Sequence, residues 1–336
     1  MLVSVVIPCR NEERYISKCI DSIINSNYPK NKIEIIIVDG RSSDNTVNII
    51  NEYKSQYSFI NIIENSRQTT QWALNMGIKK ASGEIIIILG AHAYIDSLYI
   101  ANCVEHLKNN KETACVGGLI KNIYESNISK VIGYAMSSSF GVGNAYFRTG
   151  NKSGYVDTVA FGAYKRNVFE KAGFFDEDLV RNQDDEYNFR LGKYGYKIFL
   201  DTSLKLYYYT RASFGKLFKQ YFQYGYWKVY VNKKHKTITT LRQVIPSLFI
   251  IFLIVGACAS FLNNLLFYLY LFVICIYLIA AVSSAIKRTY NPKEILFFVY
   301  TCLILHTSYG SGYLSGIFHF FILGKTPSEK SKELTR

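Results

Sequence analysis

The chain has 336 residues, yet it has no aspartate or glutamate between residues 202 and 293 and no formal charge between residues 243 and 286. No secretion leader is expected either, because residues 2–7 are a short β-branched run stopped by Pro8 with no basic residue ahead of it, so the first domain is expected to stay in the cytoplasm. Cysteine is scarce and scattered. Cys9, Cys19, Cys103, Cys115, Cys258, Cys275 and Cys302 are odd in number and never spaced as a metal knuckle, so reduced, mostly buried thiols are expected. No G-x-G-x-x-G follows the first apolar run and no Walker lysine loop occurs, which removes the phosphate-binding turns of dinucleotide and P-loop folds.

What the acid-free stretch does hold is cation and hydrocarbon. Lys205, Arg211, Lys216, Lys219, Lys228, Lys233, Lys234, Lys236 and Arg242 supply most of the net charge of +14. Such a basic surface suits nucleic acid or anionic lipid, and its position just before an uncharged run favours lipid and excludes nucleic acid as the expected partner. A membrane helix needs roughly 20 residues, so the uncharged run predicts a helical hairpin over 244–286, with legs 244–262 and 265–286 turning at Asn263 and Asn264. A third uncharged segment, 295–323, ends at Gly324; it crosses or re-enters, and Gly310, Gly312 and Gly316 in its second half permit close helix contact. Between residues 214 and 229 apolar side chains recur at helical spacing among lysines, which predicts an amphipathic interface helix.

The N-terminal part alternates strand and helix. Near-continuous apolar strands are expected at 2–7, 33–38, 60–63 and 84–89, and helices at 12–25, 45–53 and 69–80. That order predicts an α/β domain with a mostly parallel central sheet, whose ligands gather at the carboxyl ends of the strands. The unusual residues fall there: Pro8, Cys9, Arg10, Asn11 and Glu12 after the first strand, Asp39 to Asp44 after the second, Arg67 after the third, and Gly90, Ala91 and His92 after the fourth.

The run V-V-I-P-C-R-N-E-E, then I-I-I-V-D-G-R-S-S-D-N-T, resembles the opening of family 2 glycosyltransferases of GT-A fold. The G-A-H-A stretch, the string R-N-Q-D-D-E-Y-N-F-R-L-G-K-Y-G-Y-K-I-F-L-D, the basic aromatic stretch and the apolar tail bring it closer to the succinoglycan-biosynthesis type. The resemblance covers essentially the whole chain. It implies a GT-A domain over 1–212, an interface helix and basic linker over 213–242, a transmembrane region over 243–324 and a polar tail over 325–336.

It also implies roles. Asp39 would hold the donor nucleotide, with Pro8, Arg10, Glu12, Arg67, Gly90 and Ala91 around the nucleotide sugar; Asp44 reads instead as a helix-capping acid. Inverting transfer needs a carboxylate that removes the acceptor's proton, and the family's Glu-Asp pair falls on Gln183 and Asp184, which makes Asp184 the base, just ahead of a helix expected at 187–194. Glu186 is placed to pair with Arg190 at i, i+4. Asp185, Gly162 in the segment 156–173, and Gln223 and Trp227 in the interface helix would lie on the acceptor side. The family's strand ends in D-x-D or D-A-H, whose side chains bind a divalent cation, Mg²⁺ or Mn²⁺. This chain has Gly90-Ala91-His92, so only His92 could reach that ion, and an unusually high metal requirement is expected. The resulting expectation is an inverting transferase on a membrane, extending a polyprenyl diphosphate-linked glycan in exopolysaccharide or surface-glycan synthesis. Transfer directly to a polyprenyl phosphate, or a catalytically silent nucleotide-sugar or glycan-binding subunit, are the alternatives left open.

Overall fold

The structure is a computed structural model that describes residues 1–150, 152–239 and 241–327. The chain divides into two compact units: Met1–Asn122 with Tyr146–Tyr209, and Ile123–Ala145 with the chain from Thr210 onward.

In chain order the first unit begins β1 (Val3–Cys9), α1 (Ile16–Ile24), β2 (Ile33–Asp39), α2 (Thr46–Gln56), β3 (Ile60–Glu64), α3 (Thr70–Lys80), β4 (Ile85–Ile88), β5 (Ala93–Ile95), α4 (Tyr99–Asn109) and β6 (Thr113–Ile123). Two helices of the second unit follow, α5 (Asn127–Met136) and α6 (Ser139–Val142). The chain then returns through α7 (Tyr146–Thr149), β7 (Gly154–Val156), β8 (Ala163–Lys165), α8 (Asn167–Ala172), α9 (Gln183–Lys193) and β9 (Lys197–Tyr209). The sheet runs β3-β2-β1-β4-β8-β6-β9-β5, with β7 beside β9. Its first four strands are parallel, and β8 turns the direction by pairing antiparallel with β4.

Successive side chains of a strand face opposite ways, so a run apolar at every position must be covered on both faces. That is what β1 and β2 do. Val3, Val5 and Ile7 with Ile33, Ile35 and Ile37 pack under α1 and α4, while Val6, Ile36 and Val38 pack under α3, α8 and α9. The stripe Ile16, Cys19, Ile20 and Ile23 is fully buried, and each such side chain contributes ~1.5–3 kcal/mol on the larger residues. Register fixes where function can sit: Cys9 lies opposite Asp39, and Asp39 opposite Glu64, so the loops after three strands emerge side by side.

The second unit adds α10 (Phe214–His235), α11 (Ile245–Ser260), α12 (Asn264–Ile286), α13 (Pro292–Ile317) and a π turn at Phe318–Ile322. Segments 264–286 and 292–322 are long and apolar enough to cross a membrane, whereas α11 has 16 residues. Only Ala281 and Ala285 of α12 are buried, so its Leu, Phe, Val and Ile side chains face outward, as a lipid-contacting helix requires. The hairpin turns where the asparagines stand, and Asn263 caps α12 by accepting from the Leu266 N–H at 2.9 Å. The third segment is continuous through its glycines. A Cβ on Gly312 would overlap the Phe222 carbonyl of α10, and one on Gly225 the Tyr309 carbonyl of α13, so the two backbones touch there. The helix expected at the interface is thus packed along α13, its buried face including Leu217, Gln220, Trp227 and Asn232. The polar tail beyond residue 327 lies outside the described residues.

Candidate active site

The loops after β1 and β2 are knitted together by their own side chains. Asn11 is left-handed at φ 54°, and it receives the Ser43 N–H at 2.8 Å while its own N–H donates to Ser42 Oγ at 2.8 Å. Asp39 is 4 % exposed and accepts from the Ser42 N–H at 3.0 Å and from Ser42 Oγ at 2.5 Å. Half-buried Arg10 lies along Gly40, where a Cβ would stand 3.4 Å from its Cβ and Cδ. Asp44 takes the Thr46 N–H at 3.1 Å and the Glu13 N–H at 3.2 Å, which is the capping role read from its position. Burial pushes its carboxyl upward, but the bonds from Thr46 and Glu13 outweigh that and hold it below the usual carboxylate range. The expected helix 12–25 starts four residues later, because Glu12 is used elsewhere. Its N–H donates to Thr46 Oγ1 at 2.8 Å, and its carboxylate meets His92 Nδ1 at 3.2 Å.

Arg67 stands apart from this knot, exposed and stacked 5.1 Å from the Trp72 ring centroid. Pro8 is half-buried beside the loop, and Ala91 is 1 % exposed. Asp184 lies inside the first turn of α9, not ahead of the helix: Asn182 adopts φ 61° and starts the helix early, and an acid there is favoured by the helix dipole. Asp184 is exposed and Asp185 half-buried; Asp184 Oδ1 accepts from the Asp185 N–H at 2.9 Å. Gln183 Oε1 is buried without a hydrogen-bond partner among the described residues. Glu186 is fully buried and holds Arg190 by two bonds of 3.0 and 2.8 Å. Gly162 is required by packing, since a Cβ would overlap Cys115 Sγ. In the second unit Gln223 is half-buried and Trp227 is 0 % exposed, so the indole packs inside the helices.

The surroundings of residue 90 were not legible in the sequence. The antiparallel pairing of β8 with β4 brings residue 161 beside it, the Ile88 N–H donating to the Gly162 carbonyl at 3.0 Å. Phe161 is left-handed at φ 53°, its carbonyl accepts from the Tyr99 hydroxyl at 3.1 Å, and a Cβ on Gly90 would stand 2.7 Å from its ring. His92 and Phe161 both pack on Tyr208, with centroids 5.0 and 6.2 Å away. Among the described residues no group of three or more His, Cys, Asp or Glu side chains could hold a metal ion. One imidazole joined to Glu12, beside an aromatic ring, does not fit a protein-held Mg²⁺ or Mn²⁺, which prefers oxygen ligands.

A parallel-to-antiparallel sheet with an acid-ended second strand and a helical appendage is the setting in which the sequence comparisons decide. The profile of Glycosyl transferase family 2 matches residues 4–173. The dolichyl N-acetyl-alpha-D-glucosaminyl phosphate 3-beta-D-2,3-diacetamido-2,3-dideoxy-beta-D-glucuronosyltransferase of Methanococcus voltae is 34 % identical over 316 residues, 92 % of this chain and 95 % of that one. The chain is a family 2 glycosyltransferase. This glycosyltransferase is also 29 % identical to the succinoglycan biosynthesis protein ExoA of Rhizobium meliloti (strain 1021), over 72 % of its own length and 73 % of ExoA. Its fold is that of the Pyrobaculum calidifontis mannosyltransferase solved with GDP-Man and Mn²⁺, at a TM-score of 0.59 and 16 % identity over 94 % of this chain and 87 % of that one. The α/β, GT-A architecture with C-terminal apolar helices is therefore shown, and enzymatic sugar transfer replaces the silent-subunit alternative.

Proposed function

We propose that this glycosyltransferase inverts the donor sugar's anomeric centre while passing it from a nucleotide to a lipid-linked glycan, in exopolysaccharide or surface-glycan synthesis. One observation carries the reading: the 34 % identity runs through 92 % of the chain, sheet and apolar helices alike, to an enzyme named for a dolichyl phosphate-linked acceptor. An acceptor on a polyprenyl phosphate or diphosphate keeps its tail in the bilayer and its sugar in water, which gives helices such as α12 a purpose in the reaction. Basic residues flank the hairpin at Lys233–Arg242 and at Lys287–Arg288, so both its ends, and the catalytic domain, are assigned to the cytoplasmic side of a multi-pass protein.

In this reading Asp39 holds the donor nucleotide, with Pro8, Arg10, Arg67 and Ala91 around it. Asp184 takes the proton of the acceptor hydroxyl as its oxygen bonds to the anomeric carbon, and the bond to the nucleoside diphosphate breaks with the electron pair leaving on phosphate. Exposure of Asp184 suits a base that must meet an incoming hydroxyl. Asp185 is the acceptor-side group beside it, and Gly162 shapes the wall of the same domain. The divalent cation of this reading belongs to the donor's phosphates, since the chain offers it at most His92. Incubating membranes with a panel of nucleotide sugars and polyprenyl-linked acceptors, and weighing the products, tests the assignment. A product heavier by one sugar on the lipid supports it, and a product on polyprenyl phosphate alone selects the simpler transferase.

A further inference from the structure

The departing diphosphate carries charge that a GT-A site must meet, and the structure closes the usual way of doing so. Gly90 brings no ligand, and the place where a side chain on residue 90 would begin is filled by the Phe161 ring at 2.7 Å. The backbone that carries this ring is held in place. Its residue is left-handed, a conformation disfavoured for an aromatic side chain, and its carbonyl is pinned by the hydroxyl of buried Tyr99.

A different cation stands on the same cluster. Arg148 of α7 places its guanidinium carbon 5.7 Å from the Tyr208 ring centroid and 5.6 Å from that of Phe147. Tyr208 is the ring that packs on both His92 and Phe161. Nη1 of Arg148 is buried and has no hydrogen-bond partner among the described residues. A charged donor left buried without an acceptor is costly, and a phosphate oxygen at this place would supply the missing acceptor. A guanidinium always carries its charge and presents a planar fork that matches phosphate oxygens.

We propose that Arg148 binds the diphosphate of the nucleotide sugar, doing by hydrogen bonds and fixed charge what a protein-held cation does elsewhere. This rests on the donor reading above and extends it. Gly90, Phe161 and Arg148 then form one arrangement: the glycine admits the ring, the ring occupies the carboxylate's place, and the arginine supplies the positive charge. Nucleotide binding in such a site needs no metal on the protein, and the metal concentration that affects turnover follows the affinity of the free nucleotide for the ion.

The test is calorimetric titration of the purified full-length protein with inorganic pyrophosphate and with uridine, guanosine and thymidine diphosphates, in EDTA and again in Mg²⁺. Wild type should bind pyrophosphate and one or more nucleotides in EDTA. Arg148→Gln should weaken both by ~10-fold or more, the size expected for lost charge-assisted bonds, while Arg148→Lys, which keeps charge but not the fork, should fall between. Thermal unfolding of each variant separates lost binding from lost fold. Wild type that binds only in Mg²⁺, or a folded Arg148→Gln protein that binds as wild type does, overturns the proposal. Failure of wild type to bind any of these nucleotides in either buffer removes the tested donor classes and this assignment together.

Discussion

The loops above the sheet and the helices of the second unit hold backbone together by opposite means. In the loops, Asn11, Asp39, Ser42 and Asp44 hold the chain through side-chain bonds of 2.5 to 3.2 Å, and both Asn11 and Arg41 adopt left-handed conformations. Along α10 and α13, contact comes from having no side chain at all, at Gly225 and Gly312. Polar loops can lose one bond and keep their course, because several others share the work. A glycine seam has no such reserve, since any added atom meets a carbonyl that belongs to the neighbouring helix.

The largest expected effect therefore lies in the seam. Gly312→Val should cost ~3 kcal/mol or more, because overpacking against backbone cannot relax as a rotamer change, and the yield and melting temperature of detergent-purified protein measure it. Asp39→Ala comes next and acts on binding: loss of a buried carboxylate acceptor should weaken the nucleotide by about 10-fold to 100-fold with melting little changed, read by titration. An equal loss of fold in both variants would erase the contrast between the two regions.

Topology sharpens the comparison from the lipid side. With Cys258 and Cys275 replaced by serine, Leu262→Cys at the exposed hairpin turn should react with an impermeant maleimide added outside intact cells. Labelling only after the cytoplasm is opened would reverse the orientation. The smallest effect is Asp44→Ala, at most about 1 kcal/mol for a cap that is largely solvated. Its carboxyl is held below the ordinary range, so the stabilisation is present above that range and fades as pH falls through the depressed value. Wild type and Asp44→Ala should therefore converge in melting temperature in acid and separate near neutrality.

The sheet's first half was readable because β1, β2 and β4 are apolar at nearly every position, a pattern that two-sided burial demands. The apolar helices were readable from length and missing charge. Element starts were less so: α1 begins late because Glu12 reaches across to His92, and α9 begins early because Asn182 accepts a left-handed backbone. Residues 123–145 gave no signal that they group with the helices, where Lys130 pairs with Glu294 at 2.8 Å and His306 bonds the Phe140 carbonyl at 2.9 Å. The loss of a ligand at Gly90 could be read from one position. What fills its place could not, because Phe161 arrives through the pairing of β8 with β4, and Arg148 through Tyr208 on β9, which are matters of register between distant segments.

The central claim is that Asp184 is the base of a sugar transfer, and the sharpest measurement compares Asp184→Asn with wild type on one donor and one lipid-linked acceptor. The variant keeps the shape of the first turn of α9 but cannot take a proton. Turnover should fall by ~10²-fold or more while nucleotide affinity stays within about 3-fold of wild type. An Asp184→Asn protein that transfers sugar at the wild-type rate would contradict the account.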